Sequence, residues 1–114
     1  MSDCVFCGII EGRIKGKIVY RDDSVVAFRD ANPKAPVHIL LVPRKHLSTL
    51  LDLEHEDKGL MGEIFYLANQ LAKQEGISQD GFRVVLNCGA GAGQSVFHLH
   101  FHLLGGRPFS WPPG

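Results

Sequence analysis

The chain has 114 residues, 45% hydrophobic and 21% charged, which is the size of one ordinary domain and places it among globular and not disordered proteins. Twelve basic residues balance twelve acidic ones, so there is no broad cationic surface to gather a nucleic-acid polymer and no polybasic membrane signal. Any anionic ligand has to be held by local contacts.

Residues 1–6 lack both the basic start and the apolar run of a secretory signal, and no apolar stretch approaches the length of a membrane span. A soluble, cytoplasmic protein is expected. Cys4, Cys7 and Cys88 are an odd number of cysteines, so thiol or metal roles are expected in place of a disulfide framework. With no internal repeat, low-complexity tract or linker, residues 1–114 read as a single domain.

Residues 18–20 and 25–28 are short β-branched or aromatic runs around Arg21-Asp22-Asp23-Ser24, which predicts two strands and a hairpin turn. A proline-rich loop at 32–36 precedes a largely buried third strand, 37–42, stopped by Pro43. From 54 to 75, Leu60, Met61, Ile64, Phe65, Ala68, Leu71 and Ala72 recur at helical spacing, predicting one long helix with Asp52 as N-cap and Gly76 as stop. Residues 82–87 and 95–104 read as the fourth and fifth strands, the last broken by Gly105-Gly106. The expected fold is α+β, a mainly antiparallel sheet covered on one side by the helix.

Along an extended strand, His98, His100 and His102 project to one side while Leu99, Phe101 and Leu103 project to the other, toward the helix. Three imidazoles facing a cleft are open to three readings. They are a solvated sheet face, a catalytic zinc site with an open position, or a nucleophile with its orienting partners. Just upstream, Asn87-Cys88-Gly89-Ala90-Gly91-Ala92-Gly93-Gln94-Ser95 alternates glycines that let backbone amides turn inward, which suits an anion such as phosphate.

The stretch from Gly93 to Leu104 resembles the His-x-His-x-His-x-x signature of the histidine-triad superfamily. The resemblance extends to Phe28-Arg29-Asp30-Ala31-Asn32-Pro33, to the segment from His38 to His46, and to the closing Gly105-Gly106-Arg107-Pro108 and Trp111-Pro112-Pro113-Gly114, which are similar to the Hint branch. It implies a five-stranded antiparallel sheet with one long helix and a short N-terminal helix, two protomers joining into a ten-stranded sheet. The implied activity is hydrolysis of purine nucleoside phosphoramidates, of the adenosine 5′-monophosphoramidase type, with no cofactor needed for the chemistry.

On that resemblance His100 attacks phosphorus, His98 and His102 flank it, His102 binds phosphoryl oxygens, and His38 completes a hydrogen-bonded line behind the triad. Ser95 would lie by the scissile bond and help protonate the departing amine. Asp30 would hold the ribose hydroxyls, and Val5, Phe6, Ile9, Phe28 and Ala31 would surround the base. Asn87, Gly93 and Gln94 would border the phosphate. Trp111, in the 105–114 tail, would reach the partner's active site.

Cys4 and Cys7 form a C-x₂-C pair, half of a zinc site or a redox motif. Its place at the chain's start, outside any βαβ unit, favours metal. The superfamily implies completion of a structural zinc site by His46 and His98. Cys88 reads as a plain strand-end thiol, and His55, in the first helical turn, as solvated. Two other functions stay open: a nucleotide-binding or scaffolding protein with incidental turnover, and a dinucleoside polyphosphate hydrolase of the same superfamily.

Overall fold

The computed structural model describes residues 3–114, so Met1 and Ser2, the first residues of the expected domain and of the stretch read for a signal, lie outside the described residues. Helix α1, Val5–Glu11, is the expected short N-terminal helix. Cys4 stands at its N-cap, with Sγ accepting the Cys7 N–H, and Gly12 at φ 83° closes it in the left-handed region that favours glycine.

Strands β1 (Ile18–Arg21) and β2 (Val25–Arg29) form the expected hairpin. Its turn is built by Asp22, whose Oδ1 accepts the N–H groups of Ser24 at 2.7 Å and Val25 at 2.8 Å. Strand β3 runs Val37–Pro43, one residue beyond the predicted stop, because Pro43 still sits opposite Val25 at the end of the ladder. With β4 (Phe82–Leu86) and β5 (Phe101–Gly105), the strands make one antiparallel sheet in the order β1-β2-β3-β5-β4.

The long helix begins later than its periodicity predicts. Helix α2 spans Lys58–Gln74, and residues 50–52 and 55–57 are separate 3₁₀ turns. Asp52 is not the N-cap expected of the long helix, a place taken by Asp57. It lies inside the first turn, which Thr49 caps, its Oδ2 accepting the Thr49 N–H at 2.9 Å, and Asp57 accepts the Glu54 N–H at 2.9 Å. These local bonds hold the backbone out of a continuous helix. His55 is exposed, as expected, but in the second turn and not in the helix. Gly76, at φ 76°, ends α2 as predicted.

The fifth strand also starts late. The Leu99 N–H donates to the Leu47 carbonyl at 2.6 Å, outside the sheet, so only the run from Phe101 joins the ladder. Gly105 extends the strand, pairing with Val37 and Phe82, and the break falls at Gly106, φ 92°. A Cβ at 105 would come within 2.5 Å of Ile77 Cδ1, so glycine lets the strand end run close under the turn after α2.

Apolar residues fill both faces of the central strands. One face packs Ala27, Ile39, Leu41, Leu99, Phe101 and Leu103 against Ile64, Leu67 and Leu71 of α2. The other packs Val26, Phe28, Leu40 and Val42 against Phe6, Ile9 and Ile10 of α1. The predicted one-sided cover is therefore two-sided where α1 lies, and α1 becomes a wall of the cleft described next.

Candidate active site and metal centre

A cleft of about 950 Å³ opens on the α1 face of the sheet. Val5, Phe6 and Ile9 form one wall, Phe28, Asp30 and Ala31 a second, and His38, Ser95, His100 and His102 the polar floor. Every one of these was expected at the site. Lys15, Gly16 and Lys17 also line it and were missed. They sit in an irregular connection whose approach to α1 carries no periodic signal, although a Cβ at Gly16 would lie 2.8 Å from Ile9 Cγ2.

Asn87, Gly93, Gln94, His98 and Trp111 lie outside this lining. Gln94 is buried, its Oε1 accepting the Gly89 N–H at 2.8 Å and its Nε2 donating to Ser48 O at 2.8 Å and Val96 O at 3.1 Å. It is a strut for the glycine loop. The N–H groups of Ala92, Gly93 and Gln94 donate to carbonyls of Gly89 and Ala90 within that loop, so these amides serve the turn instead of facing an anion. Asn87 follows the end of β4, and Trp111 is 81% exposed in the tail.

The three triad imidazoles do not share one strand face. Only His102 lies in β5; His100 reaches the same cleft from the irregular residues before it, their ring centroids 5.0 Å apart. His98 is fully buried and turned the other way, toward Cys4, Cys7 and His46.

Partners that can only accept or only donate settle where the ring protons sit. His100 Nδ1 is 2.7 Å from the His98 carbonyl, so Nδ1 carries a proton, and in the neutral ring the lone pair is on Nε2. The Lys34 N–H donates to His38 Nδ1 at 3.0 Å. A neutral His38 therefore carries its proton on Nε2 and donates to His102 Nδ1 at 2.9 Å, which in turn leaves His102 with an Nε2–H donor. Burial favours these neutral forms, pushing His38 down from the usual histidine range and His102 down to about 4, with neighbouring imidazoles adding to the latter. Asp30, 3.4 Å from His38 Nε2, opposes both shifts.

Among the described residues, two groups of side chains have the donor atoms for a metal ion: Cys4, Cys7, His46 and His98, and Asp30, His38 and His102, each with its ligand atoms within 4.8 Å of one another. Ring protons separate them. His98 Nε2 donates to the Pro43 carbonyl at 2.8 Å, which turns the bare Nδ1 toward the first group. There it lies 3.4 Å from Cys4 Sγ, 3.5 Å from Cys7 Sγ and 3.1 Å from His46 Nδ1. Tetrahedral zinc with two sulfur and two nitrogen ligands has edges of about 3.3–3.8 Å, so this set fits a closed, structural zinc. In the second group the Lys34 amide forces the His38 proton into the middle, making that cluster a hydrogen-bonded relay. With His98 turned away and His100 bonded to a carbonyl, the triad does not converge on one ion.

The sheet order, the cleft and the histidine run have a counterpart in known proteins: residues 11–109 match the HIT domain family. The chain belongs to that family. An uncharacterized HIT-like protein of Synechocystis is 53% identical over 113 residues, covering 99% of this chain and 98% of the relative. A 14 kDa zinc-binding protein of Zea mays is 47% identical over 115 residues, covering 99% and 89%. Among solved structures, a HIT family hydrolase from Legionella pneumophila superposes with a TM-score of 0.96 at 46% identity, covering 98% of this chain and all of that one.

For this HIT domain the match to both relatives covers 99% of the chain. The cluster needs α1, β3 and the run before β5 to meet, and those segments are far apart in sequence. Only the family signature could have brought the four residues together before the fold was known.

Proposed function

We propose that this HIT domain is a purine nucleoside phosphoramidase that works through a covalent nucleotidyl-histidine on His100. The observation that carries the reading is the 2.7 Å bond from His100 Nδ1–H to the His98 carbonyl, which in the neutral ring leaves the lone pair on Nε2, beside a cleft that also holds an apolar pocket and a carboxylate. In the first step Nε2 bonds to phosphorus as the P–N bond breaks, and the amine leaves with an added proton. In the second, water attacks phosphorus, the P–Nε2 bond breaks, and nucleoside monophosphate is released.

His102 Nε2–H donates to a phosphoryl oxygen as charge builds there. Ser95 lies beside the reacting bond and assists the leaving amine. The Asp30 carboxylate accepts from the ribose hydroxyls, and Phe6, Ile9, Phe28 and Ala31 enclose the base. Zinc at Cys4, Cys7, His46 and His98 is structural and takes no part in the bond changes.

The protein is cytoplasmic and homodimeric in this reading. The dimer joins through the outer edge of β4, and the 105–114 tail with Trp111 reaches the partner's cleft. Sedimentation equilibrium checks the mass; a monomer at micromolar concentration would remove this part.

The deciding assay follows amine release from a purine nucleoside phosphoramidate carrying a fluorescent amine, by wild type and His100→Asn, with and without chelator. Release by wild type alone, surviving chelation, is the expected result. Equal rates in the two proteins would leave a nucleotide-binding role and discard the covalent mechanism.

A further inference from the structure

His98 belongs to both centres. Its Nδ1 faces the Cys4–Cys7–His46 group, while its main-chain carbonyl holds His100 Nδ1–H. Phe6 spans the same gap from the other side. It sits between the two cysteines in sequence, and its ring meets His98, His100 and Phe28 edge-on at centroid distances of 6.1, 5.0 and 5.3 Å.

We infer that zinc occupancy of the Cys4–Cys7–His46–His98 centre and nucleotide binding in the cleft are coupled, with Phe6 and the His98 main chain as the positioning elements between them. The inference rests on the nucleotide reading given above.

Helix α1 has seven residues, well under the roughly 12–15 needed for a helix to persist alone in water. Three buried apolar side chains, Phe6, Ile9 and Ile10, and the cysteines hold it in place. Zinc ligated at positions 4 and 7 fixes the backbone on both sides of Phe6, and Phe6 is at once a cleft wall and the packing partner of His100. Without the ion, thiols and imidazoles keep only weak hydrogen bonds, α1 shifts among more positions, and a nucleotide must order this wall as it binds. Ordering by one ligand then favours the other, and the effect is reciprocal: zinc tightens nucleotide by the same factor by which nucleotide tightens zinc.

The test measures adenosine monophosphate affinity by calorimetry on zinc-loaded and chelator-depleted protein. It also measures zinc affinity by competition with a chromogenic chelator, with and without the nucleotide. Both ratios are expected to agree and to reach at least about fivefold. In Phe6→Ala, which keeps all four zinc ligands, both ratios fall below about twofold while zinc affinity without nucleotide stays within a few-fold of wild type; Phe6→Leu restores part of the coupling. If the depleted protein unfolds, the competition leg still reads the ratio on loaded protein.

Nucleotide that binds equally with and without zinc overturns the coupling and leaves the nucleotide reading intact. Failure of zinc to bind overturns the coupling as well. Failure of nucleotide to bind in either form sinks the nucleotide reading itself, and the coupling with it. A Phe6→Ala ratio equal to wild type removes Phe6 as the connecting residue.

Discussion

His38 Nε2 lies 2.9 Å from His102 Nδ1, and the proton between them belongs to His38, because the Lys34 amide occupies the other nitrogen of that ring. A backbone N–H in the loop before β3 thus dictates, two bonds away, that His102 presents a donor to the cleft. Replacing His38 by Phe frees His102 to exchange tautomers. Replacing His102 by Ala removes the bond proposed to a phosphoryl oxygen, which would be worth about 1.5–3 kcal/mol. Steady-state amine release should fall about 10- to 150-fold in His102→Ala and by a smaller factor in His38→Phe, mainly in kcat. An unchanged kcat in both would remove the relay from the mechanism.

Stability should fall as the solution is acidified from pH 6.5 toward 4. His102 titrates at about 4 in the folded protein and at about 6.5 when unfolded. Between those values the unfolded chain takes up a proton that the folded one refuses, so acid favours unfolding. His38 is shifted the same way by its burial. His102 alone contributes on the order of 3 kcal/mol across that window, with His100, His38 and Asp30 as the titratable groups around it. Urea unfolding at several pH values reads the slope, which should flatten in His102→Asn.

Removing zinc should lower the melting temperature. An ion present at about 100 times its dissociation constant stabilises the folded state by about 2.7 kcal/mol, which for a chain of this size is a shift of roughly 5–15 °C. Thermal scans with and without chelator, and on Cys7→Ser, give the comparison. A chelator-insensitive melt would show that the cluster holds no ion in solution.

Gln94→Met should reduce stability by about 1–3 kcal/mol, since it strands the Gly89 N–H and the carbonyls of Ser48 and Val96. Chemical denaturation measures the loss. If stability is unchanged while nucleotide binding weakens, Gln94 acts on the ligand after all.

The sheet, α2 and the hairpin were legible because their information is local: β-branched and aromatic runs at 18–20 and 25–28, helical spacing from 60 to 72, and Asp22 and Gly76 at the turns. What misled was also local. The run from Ser95 to Leu104 alternates like a strand, yet Leu99 bonds to Leu47 and the first half leaves the sheet, a tertiary competition that no alternation pattern encodes. That departure turns His98 toward the cysteines and leaves His100 and His102 in the cleft. The residue types of Gln94 and the glycine loop suit a phosphate cradle, but the amides of Ala92, Gly93 and Gln94 bond within the loop and the Gln94 side chain bonds to Gly89, Ser48 and Val96. The wall from Lys15 to Lys17 gave no signal, being irregular chain set by contact with α1.

The two rims of the sheet are unequal. At one, β1 is irregular between Ile18 and Tyr20, follows Lys15 and Lys17 and ends in Arg21, features that discourage another strand from adding. At the other, β4 runs in unbroken register along β5, is only half-buried, and turns its outer backbone groups away from the sheet. A sheet with two receptive rims could add copies without end. With one, any copy that joins uses up the site on both molecules, so growth terminates at a closed pair and cannot continue into a fibre.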